Sequence, residues 1–149
     1  MQIAAKESTQ RKRPFRKNSP PRIIVLDDED CLLQLYPLLI RTWRRDAEVT
    51  AFADSEAALE ELTKREPDLL ITDLGRPRMN GYEMLPLLAE RGARFPILVV
   101  SGQASEDNVR RFSDLPLNLS FFPKPMLPDQ LVGQLVRFLG TGDIRESLA

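Results

Sequence analysis

Four short apolar runs, none of them alternating with polar residues, limit what this chain can fold into. Ile23-Ile24-Val25-Leu26 runs into Asp27-Asp28, Leu69-Leu70-Ile71-Thr72 into Asp73, and Ile97-Leu98-Val99-Val100 into Ser101. Leu119-Ser120-Phe121-Phe122 leads to Lys124. A strand with one wet face alternates apolar and polar residues, whereas a strand covered on both faces does not, and such strands are typically parallel. The weaker stretch from Glu48 to Phe52 supplies a fifth strand, expected at the edge of the sheet.

Helical patterns fill the intervals. Leu32, Leu35, Leu39 and Trp43 share one face of a first helix. Asp54 can cap a second helix, which turns Ala58, Leu59 and Leu62 inward. Tyr82 through Ala89 forms a third, closed by Gly92. Ser105 can cap a fourth, with Glu106 and Asp107 near its positive end and Val109 and Phe112 as anchors. Leu131, Leu135 and Leu139 line a fifth, which stops at Gly140. Pro37 falls inside the first helix and should kink it, while Pro86 lies within or just past the first turn of the third. Phe52, Phe95 and Phe138 read as core, and Gly81 as a backbone conformation needed after an active loop. Five strands alternating with five helices predict an α/β fold with a right-handed, doubly wound sheet.

The 149 residues suit one domain with a core of its own. The absence of histidine excludes a Ser-His-Asp or Cys-His pair, makes a zinc site unexpected and leaves no phosphohistidine donor in the chain. Cys31 is the only cysteine, so it forms no internal disulfide and agrees with a reducing compartment; it reads as a small buried or half-buried side chain. No apolar run reaches the length of a membrane span and no secretory leader is visible, which makes the cytoplasm the expected location.

The net charge of -1 hides a division. Residues 1–22 carry seven basic side chains against Glu7, a net +6, and the remainder carries 14 basic and 21 acidic residues, a net -7. Residues 1–21 lack apolar periodicity and read as a disordered basic tail, either simply solvated or touching nucleic acid, an anionic membrane surface or an acidic partner. The globular region is expected over 22–140, with a short tail at 141–149.

In open parallel sheets, ligands sit beyond the carboxyl ends of the strands, and Asp27, Asp28, Asp73, Ser101 and Lys124 all lie at such ends. Singly, each has a plain explanation: a helix cap, a turn, a surface charge. Jointly, and in this order, Asp27-Asp28, the stretch from Asp73 to Gly81, Ser101 and Lys124-Pro125 resemble the response-regulator receiver domains of two-component systems, the chemotaxis receiver among them. The resemblance covers residues 22–140 and implies the flavodoxin-like strand order 2-1-3-4-5.

It also implies a chemistry. Asp73 would be the phosphorylated nucleophile, and Asp28, Asp73 and the backbone carbonyl of Gly75 would ligate Mg2+ or Mn2+. Asp27 would hold that metal through a water, and Glu29 would add charge without being a ligand. Lys124, set by a cis bond to Pro125, and the hydroxyl of Ser101 would meet the phosphoryl group. Ser101 and Phe121 would form the switch, changing a face built from the fourth helix, fifth strand and fifth helix. Many relatives carry Tyr where this chain has Phe121, so the switch is expected to be purely steric. Gly75 and Gln103 would help set a slow self-dephosphorylation.

The implied partners are a sensor histidine kinase or phosphotransfer protein and a downstream protein target, with room for a weak homodimer. Only about nine residues follow the fifth helix, so no DNA-binding domain is expected in this chain and a stand-alone receiver is favoured over one cut from a longer regulator. A haloacid-dehalogenase-like phosphatase is the rival, since Asp28-Glu29-Asp30 resembles its opening motif. That reading lacks a cap segment and a late acidic cluster, because Glu106 and Asp107 open a helix instead.

Overall fold

Strands without a polar face must be covered on both sides, and two helical layers do this here. The structure, a computed structural model, describes residues 3–4 (backbone only), 19–75, 79–102 and 106–143. The elements run β1 (Ile3–Ala4), β2 (Arg22–Leu26), α1 (Asp30–Trp43), β3 (Glu48–Phe52), α2 (Ser55–Lys64), β4 (Leu69–Thr72), α3 (Gly81–Glu90), β5 (Ile97–Ser101), α4 (Glu106–Phe112), β6 (Leu119–Pro123) and α5 (Pro128–Leu139). The sheet order is β1-β6-β5-β4-β2-β3, with β2 to β6 parallel. Counted by themselves, those five strands have the expected order 2-1-3-4-5.

Side chains alternate across each strand, so every apolar run feeds two cores. Ile24, Leu26, Leu70, Ile97, Val99, Leu119 and Phe121 pack under α2, α3 and α4 with Leu59, Met84, Leu85 and Phe112. Ile23, Val25, Leu69, Ile71, Leu98, Val100 and Phe122 pack under α1 and α5 with Tyr36, Ile40, Trp43, Leu131 and Leu135. Within the second layer, the ends of α1 and α5 are joined where the Trp43 indole N–H donates to the carbonyl of Gly140 at 2.8 Å.

Local signals behave as their chemistry requires in several places. Asp54 caps α2 by accepting from the backbone N–H of Glu56, and Gly92 closes α3 at φ 72°, a conformation open to glycine at little cost. The Asn80 side chain caps α3, a role unnoticed in the sequence, and Pro86 sits in the middle of that helix rather than in its first turn. α1 continues through Pro37 to Trp43. The expected cap at Ser105 lies outside the described residues.

Other expectations need correction. The buried stripe of α1 is Tyr36, Ile40 and Trp43, so Leu35, one residue before Tyr36 and about 100° round the helix, is 42% exposed. Cys31 is exposed on the first turn of that helix instead of buried. Phe95 is core, but Phe52 and Phe138 are only partly buried. Ile3–Ala4, inside the segment read as a disordered tail, pairs with β6; residues 5–18 lie outside the described residues.

Gly81 is glycine for a different reason from the one expected. Its φ is not positive; instead a Cβ there would stand 2.7 Å from Leu74 Cδ2, 2.9 Å from Leu74 Cα and 3.2 Å from the Asp73 carbonyl. Its N–H also donates to the Leu74 carbonyl at 2.8 Å, so α3 begins pressed against the loop after β4. Gly81→Ala is therefore expected to lower stability by about 1–3 kcal/mol, as overpacked sites do. A denaturant midpoint equal to that of the parent protein would refute this account of the contact.

Candidate functional site

Strand register brings the acidic residues together. Leu26 pairs with Thr72, and the next residue of β4's run continues the ladder, the Asp73 N–H donating to the Leu26 carbonyl at 3.1 Å. Asp27 and Asp73 therefore leave adjacent strands side by side. Ser101 pairs with Pro123, and the Lys124 N–H donates to the Ser101 carbonyl at 3.2 Å, which delivers the lysine to the same end of the sheet.

Each carboxylate of the pair is held at both oxygens. Asp73 Oδ1 accepts from the backbone N–H groups of Leu74 at 2.7 Å and Gly75 at 3.3 Å, while Oδ2 accepts from Lys124 Nζ at 3.1 Å. Asp27 Oδ1 accepts from the Glu29 N–H at 2.9 Å, and its Oδ2 lies 3.0 Å from Lys124 Nζ. The ammonium also donates to Glu29 Oε1 at 3.1 Å. Asp27 and Asp73 are buried, and Asp28 is exposed at the rim. One carboxylate oxygen from each of the three can be chosen so that all lie within 4.8 Å of one another.

Such crowding has electrostatic consequences. Burial raises the Asp27 pKa above its usual value, and the charge of Asp73 adds to this, against the lowering by the Glu29 N–H and Lys124. Burial opposes the charge on Lys124, yet its bonds to Asp27, Glu29 and Asp73 prevail and hold its pKa above the ordinary lysine value. The Tyr36 phenol beneath the cluster is pushed up to about 12, first by burial and then by the charge of Asp27. The donor set is carboxylate oxygen without nitrogen or sulfur, the kind that suits a hard divalent cation such as Mg2+ or Mn2+.

Of the residues singled out in the sequence, Asp27, Asp28, Asp73 and Lys124 meet in one cleft. Ser101 is buried at the end of β5 beside them. Gly75 contributes its N–H to Asp73, and the Lys124–Pro125 bond is cis. Phe121 is wholly buried and stacks on Phe112 of α4 with ring centroids 6.3 Å apart. Gln103 lies outside the described residues. The bond from Lys124 to Glu29 was not foreseen; the only trace of it in the sequence is a third acid directly after Asp27-Asp28.

The family of the response regulator receiver domain matches residues 23–136, which take in the parallel strands from Ile23 onward and the whole site. The chain belongs to that family. Among curated receiver-containing relatives, the Regulator of RpoS from Escherichia coli is 37% identical over 82 residues, 54% of this chain and 23% of that protein. The alkaline phosphatase synthesis transcriptional regulatory protein PhoP from Bacillus subtilis is 27% identical over 124 residues, 83% of this chain and 50% of that protein. The chain thus spans half or less of the length of these two relatives. In fold it is similar to the Vibrio cholerae chemotaxis protein CheY4, with a TM-score of 0.71 at 23% identity, covering 81% of this chain and all of that one. Receivers of two-component signalling bind Mg2+ through an acidic pocket, and the Asp27-Asp28-Asp73 cluster is an acidic group that could hold a metal ion. Among the described residues, no helix is long and apolar enough to cross a membrane.

The sign of the lysine shift gives a test of the receiver's electrostatics. A raised folded-state pKa means that the ammonium's contribution is complete below the ordinary value of 10.5 and is lost as pH climbs beyond it. In a chelator, Lys124→Met is expected to cost on the order of 1–3 kcal/mol at neutral pH, because its carboxylate partners are left unpaired. The parent protein should converge on the variant as denaturation is repeated above pH 10.5. A gap independent of pH would show that the lysine stabilises by packing alone.

Proposed function

We propose that this receiver is a phosphoacceptor whose nucleophile is Asp73. The observation that carries the reading is a single ammonium, that of Lys124, within 3.1 Å of both Asp27 and Asp73 in a cleft of three clustered carboxylates. Asp73 attacks the phosphorus of a phosphohistidine donor, a sensor kinase or phosphotransfer protein. A P–O bond forms to the carboxylate as the P–N bond to the donor's imidazole breaks, giving an acyl phosphate on this chain and a free imidazole on the donor.

Asp28, Asp73 and the Gly75 carbonyl would hold Mg2+ or Mn2+, with Asp27 acting through a water. The bound ion supplies neutralisation of charge on the phosphoryl oxygens. Lys124 exchanges part of its carboxylate contacts for a phosphoryl oxygen, and the Ser101 hydroxyl donates to another. Hydrolysis of the acyl phosphate is slow and does not make the chain a turnover enzyme.

The signal follows from the added charge, about -1.5 to -2. The move of Ser101 toward the phosphate opens space for Phe121, whose repacking against Phe112 alters the α4–β6–α5 face where a downstream protein docks. No phenolic hydroxyl takes part, so the device is steric. The domain delivers its output by docking. A dehalogenase-like phosphatase would instead turn over a generic phosphomonoester.

Incubation with acetyl phosphate and Mg2+, read by intact mass, is expected to add one phosphoryl group. Asp73→Asn or a chelator should abolish the gain. A protein that stays unmodified, or that is modified equally in Asp73→Asn, would overturn the assignment.

A further inference from the structure

The two edges of the sheet are treated differently. Strand edges carry unpaired N–H and C=O groups that can template another strand. At the β3 edge the residues are exposed or half-buried. At the other edge Leu119, Ser120, Phe121 and Phe122 are all buried, and the chain's own Ile3–Ala4 adds to them as an antiparallel strand. Ile3 stands opposite Phe121 and Ala4 opposite Ser120.

The direction of that pairing makes it reachable within one molecule. β1 runs toward the amino-terminal end of β6, and because β2 to β6 are parallel, β2 starts at the same end. Four strand spacings separate β1 from β2, about 19 Å in all. The 17 residues 5–21 have a maximum reach of roughly 55–60 Å, which exceeds that gap. Covalent linkage over this length of chain holds the strand at an effective concentration on the order of millimolar. The linking sequence is basic and the remainder of the chain acidic, a charge difference that favours the intramolecular pairing.

We propose that the outer edge of β6 is a strand-addition site, occupied in cis by Ile3–Ala4, and that any extended partner segment using this edge must first displace that strand. The pairing is short, so its few backbone bonds stand close to balance with the ordering of the residues that make them. A competitor offering a longer antiparallel strand removes it. The register adds a second control: Ile3 pairs with Phe121, whose ring packs on Phe112 of α4, so a change in β6 at that residue alters the backbone the strand reads. Only this link to signalling rests on the phosphoacceptor reading; occupancy of the edge does not.

Hydrogen exchange on the full chain tests the proposal. Backbone N–H groups alternate sides along a strand, so Ile3→Pro combined with Ala4→Pro removes whichever donor faces β6. The double variant is expected to exchange the Phe121 amide, which faces β1, about tenfold faster, with β2 and β4 unchanged. A synthetic peptide of residues 1–8, added in trans to the variant, should restore slow exchange where a scrambled peptide does not. Equal exchange in parent and variant would overturn the proposal. So would light scattering that shows a parent dimer and a monomeric variant, since the strand would then sit on a second copy. The acetyl phosphate mass gain, run on both proteins, separates the two readings. A gain with no change at β6 removes only this inference, and a change at β6 without a gain removes only the phosphoacceptor assignment.

Discussion

Asp27, Asp73 and Glu29 share one cation of the chain's own, the ammonium of Lys124, and the end of the sheet is organised around that contact. Like charges this close repel one another by an amount that grows as water is excluded. Burial, with the charge of Asp73, raises the Asp27 pKa, and the Glu29 N–H and the lysine temper that rise. The lysine in turn keeps its charge in a half-enclosed site because three acceptors surround it. Neither sign of charge would sit comfortably there without the other, so the cleft is set up to receive a further cation on one side and an anionic group on the other.

Backbone geometry makes this arrangement cheap to hold. Every charged group of the cluster stands one to three residues beyond a parallel strand, and ladder hydrogen bonds continue past the formal strand ends to Asp27, Asp73 and Lys124. The side chains are therefore aimed by the sheet, and the first backbone N–H groups beyond the strands hold the Asp27 and Asp73 carboxylates. Gly81 completes the frame, because α3 can start against Leu74 only where no Cβ intervenes.

How much of this was legible depended on the range of the interaction. The strands, their parallel pairing and the convergence of Asp27, Asp28, Asp73 and Lys124 could be read because unalternating runs such as Ile23-Ile24-Val25-Leu26 state both burial and direction. The α1 stripe was misread by a single helical step at Leu35, since Leu32, Leu39 and Trp43 fit either phase and only packing chooses Tyr36 and Ile40. Gly81 could be marked but not explained, as a glycine looks the same whether it serves a turn or a close approach. The Lys124 to Glu29 bond joins residues 95 apart, and Ile3–Ala4 is too short to show any periodicity. Both are decided by the assembled sheet, beyond the reach of a local pattern.

The latch at the ends of α1 and α5 has a practical consequence. Besides the indole bond to Gly140, the Asp143 N–H donates to the Trp43 carbonyl at 2.9 Å, and Gly142 fits so closely that a Cβ would meet that carbonyl at 2.5 Å. Both helices run against the strands, so their carboxyl ends lie at the pole remote from Asp73. A fluorophore, affinity handle or fused module joined after residue 143 would project away from the acidic cleft and leave its mouth clear.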